Sequence, residues 1–169
     1  MSVWTFTSEG FTPIAVLDTA AFTDNGYMGL MGGSTTQRLN IKQVIISGLA
    51  TSSTPTPMVL SRDSTVQATP TALTTAQSNA ANDPAVANLA APQVAFTAST
   101  TKPQRSATLA KLAMGFNAFG GVFRWESASV PGSDFAILGN TASLGEASLS
   151  CYTGGTPGLV AASIVYEPL

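Results

Sequence analysis

Short runs of alternating apolar and polar residues repeat along almost the whole of this chain, and no amphipathic helix of useful length interrupts them. Runs of this kind, bounded by glycine, proline, asparagine and serine, are typical of β-strands. The pattern predicts about nine short strands, at residues 13–18, 39–47, 57–64, 93–99, 108–116, 119–126, 134–138, 145–153 and 159–167. Such strands bury their apolar side chains when two sheets pack face to face. We therefore predict an all-β, two-sheet antiparallel sandwich that is jelly-roll-like.

Two polar stretches interrupt the strand pattern. In the long connection at residues 65–92, Asp83 is a residue type that caps helices and Pro84 is favoured at the first helical position. We therefore expect one short helix there, barely two turns long, with a structural role. The glycine-rich stretch at residues 25–37 is expected to be a loop with a tight turn at its start. It lacks the Gly-Lys-Ser/Thr ending of a phosphate-binding loop.

The bulkiest members of the alternating strands predict the core. We expect these side chains to be buried between the sheets: Ile45, Phe96, Phe119, Phe123 and Trp125. The lone cysteine, Cys151, alternates with Ala147 and Leu149, which indicates a small buried hydrophobic residue and excludes an intrachain disulfide.

Charged residues make up only 9% of the chain, against roughly 25% in an ordinary soluble domain. The cores of protein–protein interfaces are depleted in Lys, Glu and Asp. This composition therefore favours a protein that is packed against neighbours. The alternative is a secreted or thermally robust domain with a Ser/Thr-coated exterior. The seven Lys and Arg residues never form a run, and the net charge is −2, so we expect no contact with nucleic acid.

The residue types that most catalytic and metal sites need are missing or scattered. The chain has no histidine, which excludes Ser–His and Cys–His pairs and imidazole metal ligands. The carboxylates are spread singly, and only a pair assembled by the fold would remain possible. We expect neither enzymatic activity nor a metal or other cofactor. The N-terminal sequence resembles no signal peptide, and no stretch is apolar enough for a membrane helix, so we expect synthesis in a cytoplasm.

Both ends of the chain are unusually apolar. Residues 1–12 are predicted to form an N-terminal arm ahead of a single domain at 13–169. Because the strand at 159–167 is apolar on both faces, we expect the core to cover one face and a neighbouring molecule the other. The candidate interface residues are Val3, Trp4, Phe6, Phe11, Val160, Ile164, Tyr166 and Leu169. The alternative is that both ends complete the sandwich of the chain itself.

Several segments carry a resemblance to a known group of proteins: "AANDPAVANLAAPQVAFTAST" followed by "KPQRSA", then "FRWE", "FAILGN" and the closing "GTPGLVAASIVYEPL". Over roughly residues 57–169, this pattern resembles small β-sandwich, jelly-roll virion proteins of tailed bacteriophages, of the capsid decoration or cement type. The resemblance implies a protein on the capsid exterior, whose partner is the major capsid protein. It brings no catalytic residues.

Two classes of function follow. The first is a structural protein that binds the outside of a viral shell and stabilises it as a homo-oligomer, which we expect to be a trimer, without a nucleic-acid or membrane partner. The alternative is a receptor- or carbohydrate-binding head in which Trp4, Tyr27 or Trp125 stacks on a sugar. A shell-forming capsid subunit is disfavoured by the small size of the chain and by the absence of a basic arm.

Overall fold

A computed structural model describes residues 2–8, 26–63, 72–74, 81–87, 94–99, 111–127, 135–140, 145–151 and 158–169. These residues form ten β-strands and no helix. The strands are β1 (Trp4–Thr7), β2 (Gly26–Met31), β3 (Arg38–Gly48), β4 (Pro55–Arg62), β5 (Val94–Ser99), β6 (Lys111–Asn117), β7 (Val122–Glu126), β8 (Phe135–Leu138), β9 (Glu146–Cys151) and β10 (Val160–Pro168). The predicted all-β class is confirmed, and the predicted strand at 13–18 lies outside the described residues.

The strands form two antiparallel five-stranded sheets. The first has the order β1-β10-β3-β7, and β8 also pairs with β3; the second has the order β5-β2-β9-β4-β6. Strands β7 and β8 share one edge of the long β3, where β7 pairs with residues 43–47 and β8 with residues 38–41. We can leave out β5 and β8 and number the remaining eight strands 1 to 8 along the chain. The strand order is then 1-8-3-6 in the first sheet and 2-7-4-5 in the second. This alternation between two sheets is the connectivity of a jelly roll.

The core lies between the inner faces of the two sheets. Strand β10 shows the pattern clearly: every second side chain from Val160 to Tyr166 is buried, and those between are half-buried. Cys151 is buried, as predicted. The largest fully buried side chains are Tyr27, Tyr166, Phe6, Met28, Leu30, Leu39, Ile41, Ile46, Met58 and Leu60.

A β-bulge in β3 changes which residues face the core. Tyr166 pairs with Ile41 and Val165 pairs with Gln43, so Lys42 is an extra residue in β3. A bulge reverses the alternation beyond it. Leu39 and Ile41 are therefore buried before the bulge, and Val44 and Ile46 after it. The prediction that Ile45 is a core residue was wrong, because strict alternation from Ile41 does not continue through the bulge; Ile45 is only half-buried.

The aromatic residues near β7 are less buried than predicted. Phe119 is 58% exposed, because it lies in the turn at residues 118–120 and not in the strand. Phe123 and Trp125 are half-buried and pack against the margin of the core, since β7 is an edge strand. The side chain of Phe96 lies outside the described part of the structure.

The predicted helix at Asp83 is a turn in the residues that the structure describes. The Asp83 side chain does cap it, because Oδ1 accepts a hydrogen bond from the Ala85 N–H at 2.9 Å. The Asp83 carbonyl accepts a second one from the Val86 N–H at 3.0 Å, which closes a single turn. Residues 88–93, which would extend this helix, lie outside the described residues.

The glycine-rich stretch contains a central strand. Strand β2 pairs with β5 on one side and β9 on the other, although residues 25–37 were predicted to form a loop. Tyr27, Met28, Leu30 and Met31 are all buried, on both faces of the sheet. A strand that is covered on both faces shows no alternation in sequence.

Candidate interaction surfaces

The structure places most of the predicted interface residues inside the sandwich. Trp4, Phe6, Val160, Ile164 and Tyr166 are all buried. Strand β1 pairs with β10 in the sheet of the chain itself, with Trp4 opposite Tyr166 and Phe6 opposite Ile164. The Phe6 ring packs edge-on against the Tyr166 ring, with the centroids 6.1 Å apart.

In β1 and β10, the two ends of the chain therefore complete the sandwich of the chain itself, which was the alternative to an interface. A partner could contact little or none of the surface of these side chains, of which Trp4 is 9% exposed and the others are fully buried, so exposed residues are the stronger candidates for an interface. Of the candidates, Val3 is half-buried and Leu169 is 59% exposed. Phe11 lies outside the described residues.

One end of the sandwich brings three connections together through main-chain hydrogen bonds. The Leu49 N–H donates to the Leu159 carbonyl at 2.8 Å, and the Ala50 N–H donates to the Ala118 carbonyl at 2.9 Å. The Gly48 N–H donates to the Gly121 carbonyl at 2.8 Å. These bonds join the end of β3, the turn between β6 and β7, and the start of β10.

This end exposes large apolar side chains, and the described segments that form it contain no charged residue. Its exposed members are Leu49 (50%), Phe119 (58%), Val122 (69%) and Leu159 (36%), which we call the apolar end. Residues 47–57, 115–122 and 158–161, which form it, include no Asp, Glu, Lys or Arg. Grouped apolar residues on a surface mark interaction sites more often than single ones do.

Asn117 holds the connections at the apolar end in place. Its Oδ1 accepts hydrogen bonds from the N–H groups of Thr54 and Phe119, each at 2.9 Å. Its Nδ2 donates to the Ser53 hydroxyl at 2.8 Å. The apolar side chains are therefore presented by turns that are already ordered, which lowers the entropy cost of binding a partner. Sequence reasoning missed this surface because it assigned Phe119 to the core.

A pocket of about 210 Å³ lies at the opposite end of the sandwich. It is lined by Arg38, Arg62, Ala136, Ile137 and Leu138, which we call the arginine pocket. Arg38 begins β3 and Arg62 ends β4, whereas the apolar end lies at the other end of both strands. At about 3.3 Å per residue, the eleven-residue β3 separates the two surfaces by roughly 33 Å.

Arg62 reaches from the second sheet to β8 in the first. Its Nε and Nη2 donate to the Ala136 carbonyl at 2.9 and 2.6 Å. Its guanidinium also lies over the Phe135 ring, 5.4 Å from the centroid. Partial burial lowers the pKa of Arg62 because the charged form loses hydration.

Two buried carboxylates, Asp63 and Glu146, lie beside each other in the second sheet. The Asp63 N–H donates to the Glu146 carbonyl at 3.0 Å. The Asp63 Oδ1 accepts hydrogen bonds from the hydroxyls of Ser61 and Ser148, at 3.3 and 3.1 Å. Within the described ranges, no three Asp, Glu, Cys or His side chains are grouped so that they could hold a metal ion. In the same ranges, no helix is long and apolar enough to cross a membrane.

Comparison with known proteins identifies no family. No family model matches the sequence, and no curated protein matches it. Among solved structures, the chain is similar to one from the full particle of Israeli acute paralysis virus heated to 63 degrees, with 7% sequence identity and a TM-score of 0.33. The match covers 97% of this chain, which spans only 65% of the viral chain. A similarity at this level identifies neither a family nor a function.

Proposed function

We propose that this chain is a structural virion protein that binds the outer surface of a tailed-bacteriophage capsid and stabilises it as a decoration, or cement, protein. The observation that carries the proposal is the apolar end, where four large apolar side chains are exposed on described segments that contain no charged residue. The resemblance of residues 57–169 to such virion proteins supports the same role, as does the 9% content of charged residues.

The apolar end suits attachment to another protein for energetic reasons. Removing apolar surface from water contributes about 25 cal/mol for each Å² buried. Phe119 and Val122 offer most of their side chains for such burial. No charge in the three surrounding segments has to be desolvated, and charged residues are depleted at the centres of protein interfaces for that reason. The proposed partner is the major capsid protein.

The proposal includes self-association, as a homo-oligomer that we expect to be a trimer. Its support is the low charge of the whole chain, which leaves few groups to be desolvated between copies. The position proposed for the protein, on the capsid exterior, brings it into contact with neither the genome nor a membrane. Analytical ultracentrifugation of the purified chain tests the oligomeric state separately from attachment.

A charge placed on the apolar end tests attachment. Val122 is 69% exposed, so an aspartate there stays hydrated in the free protein and the fold is retained. At an interface, the same carboxylate would lose its hydration, which is unfavourable. We expect Val122→Asp to bind capsids that lack this protein at least about tenfold more weakly than the parent in a co-sedimentation titration.

Thr36→Asp is the matched control, since Thr36 is exposed at the opposite end and the substitution adds the same charge. It should bind like the parent. If Val122→Asp also bound like the parent, the apolar end would not be the attachment surface. If both variants lost affinity equally, net charge and not a local contact would control attachment.

The second class from the sequence, a receptor- or carbohydrate-binding head, depends on an accessible aromatic ring. Of the three residues considered for that role, Trp4 and Tyr27 are buried. Trp125 is half-buried and packs edge-on against Phe135, with the ring centroids 6.4 Å apart. A low copy number per virus particle would nevertheless indicate a receptor- or carbohydrate-binding head.

A further inference from the structure

The arginine pocket is lined by two positive side chains, those of Arg38 and Arg62. Among the described residues, neither Arg38 nor Arg62 forms an ion pair, whereas Lys42 pairs with Glu167 at 3.2 Å and Arg124 pairs with Glu126. We propose that this pocket binds a carboxylate group carried on a short apolar stem. The inference does not rest on the proposed function, because the pocket and the apolar end lie at opposite ends of the sandwich.

The guanidinium of Arg62 is fixed and still has donors to offer. Two of its five N–H groups bind the Ala136 carbonyl, so three remain. The Ala136 carbonyl and the Phe135 ring hold the group in position, which reduces the entropy lost when it binds an anion. Arg38 donates from Nε to the Asn40 Oδ1 at 3.4 Å, and its terminal nitrogens have no hydrogen-bond partner among the described residues.

The surroundings of Arg62 favour a negative ligand. The side chain is only partly exposed, and its loss of hydration lowers the pKa of the guanidinium. A partly buried charge is stabilised by an opposite charge that is brought close to it. The two charged residues among the five that line the pocket are both arginines.

The size and walls of the pocket define the class of ligand. A volume of about 210 Å³ is below the roughly 300–1,000 Å³ of pockets for drug-sized molecules, so it suits a single side chain or a small molecule. The planar fork of a guanidinium matches the two oxygens of a carboxylate. Ala136, Ile137 and Leu138 supply apolar walls for a hydrocarbon stem. The source of the carboxylate is either an Asp or Glu side chain of a partner protein or a free carboxylic acid.

Titration of the folded, full-length chain tests the proposal. The probes are hexanoate, its neutral counterpart hexanamide, the blocked tripeptide acetyl-Leu-Glu-Leu-amide with its Gln counterpart, and inorganic phosphate, all at constant ionic strength. Calorimetry measures affinity, and NMR of the arginine Nε–H groups reports the site. We expect the carboxylate probes to bind and to shift the Nε–H signals of Arg38 and Arg62, while hexanamide and the Gln peptide do not bind.

Arginine variants locate the binding. Arg38→Gln should weaken carboxylate binding by roughly tenfold or more, because a hydrogen bond to a charged group is lost. Arg62→Gln should do the same, but it also removes the contact with β8. Since Arg38 is exposed, its variant keeps the test valid if Arg62→Gln fails to fold. Arg124→Gln is the matched control, since Arg124 is an exposed arginine paired with Glu126 on β7, and it should leave binding unchanged.

Each outcome supports or overturns the inference. Tighter binding of the Glu peptide than of hexanoate assigns the pocket to an acidic side chain of a partner, and the reverse assigns it to a small carboxylic acid. If phosphate binds as tightly as the carboxylate probes and its binding is weakened equally by Arg38→Gln, the pocket is not specific for carboxylates and the proposal is contradicted. If no probe binds, or if Arg38→Gln and Arg124→Gln behave alike, the site itself is refuted.

Discussion

The phenolic hydroxyl of Tyr27 donates a hydrogen bond to the main-chain carbonyl of Val160, 133 residues further along the chain, at 2.8 Å. Tyr27 lies in β2 of the second sheet and Val160 begins β10 of the first, so this bond crosses the core between the sheets. Ser8, which follows β1, also contacts the Tyr27 hydroxyl, and its own Oγ accepts a hydrogen bond from the Ala162 N–H at 2.9 Å. Both ends of the chain are thus joined to the interior.

Removal of this hydroxyl should destabilise the fold modestly. Tyr27→Phe keeps the buried ring but removes the donor to the Val160 carbonyl. We expect the free energy of unfolding to fall by about 1 kcal/mol, the net contribution of a typical hydrogen bond, with more lost if the carbonyl finds no other donor. Chemical denaturation at neutral pH measures the difference. A variant as stable as the parent would show that the bond contributes nothing.

The burial of Tyr27 also predicts how the stability of the protein changes at alkaline pH. Burial raises the pKa of Tyr27 above its ordinary value of 10.0, although the hydrogen bond with Ser8 opposes the shift. The folded state therefore keeps the proton to higher pH than the unfolded chain does. The resulting stability is fully present below about pH 10 and is lost as the pH rises through the raised pKa. The fall in stability above pH 10 should be shallower in Tyr27→Phe than in the parent, and an equal slope would contradict this assignment.

Gly48 allows the apolar end to close. A Cβ at Gly48 would lie 2.1 Å from the Ala118 carbonyl oxygen, which belongs to the main chain. We expect Gly48→Ala to destabilise the protein by about 1–3 kcal/mol, because the turn would have to move. Gly115→Ala is the control, since a Cβ there meets nothing within 4 Å. It should leave stability unchanged or raise it by up to about 1 kcal/mol. Equal effects in thermal unfolding would refute the close approach.

Two phenylalanines should differ sharply in their contribution to stability. Phe6 is fully buried, whereas Phe119 is 58% exposed. Phe6→Ala should cost about 3–5 kcal/mol, because it leaves a cavity against Tyr166. Phe119→Ala should change stability by no more than about 0.5 kcal/mol. Urea denaturation of both variants measures the difference in the free energy of unfolding. A large loss of stability in Phe119→Ala would show that Phe119 is a core residue after all.

The strands that form long runs of β-branched and apolar residues between turn residues could be predicted from the sequence. The runs at 39–47 and 159–167 correspond to β3 and β10, and their content of Val and Ile is visible in the residues themselves. Strand β2 could not be found in this way, because both of its faces are buried and its glycines resemble those of a loop. The bulge at Lys42 was also hidden, since it depends on the register with β10 and not on the composition of β3.

The two interaction surfaces could not be predicted, because each depends on which strands become neighbours. Phe119 has the composition of a core residue, and only the turn between β6 and β7 exposes it. Arg62 and Ala136 come together because the long Arg62 side chain, at the end of β4, reaches the Ala136 carbonyl of β8 in the other sheet. Nothing in the spacing of 74 residues between them indicates that contact.

The copy number of this chain in purified virus particles tests the proposed role most directly. Quantitative mass spectrometry against the major capsid protein gives the number, and antibody labelling of intact particles gives the location. A decoration protein should be present in hundreds of copies and should be labelled on the outside of the shell. A few tens of copies at one site would indicate a receptor-binding head instead. Absence from the particle would contradict a structural role in the virion.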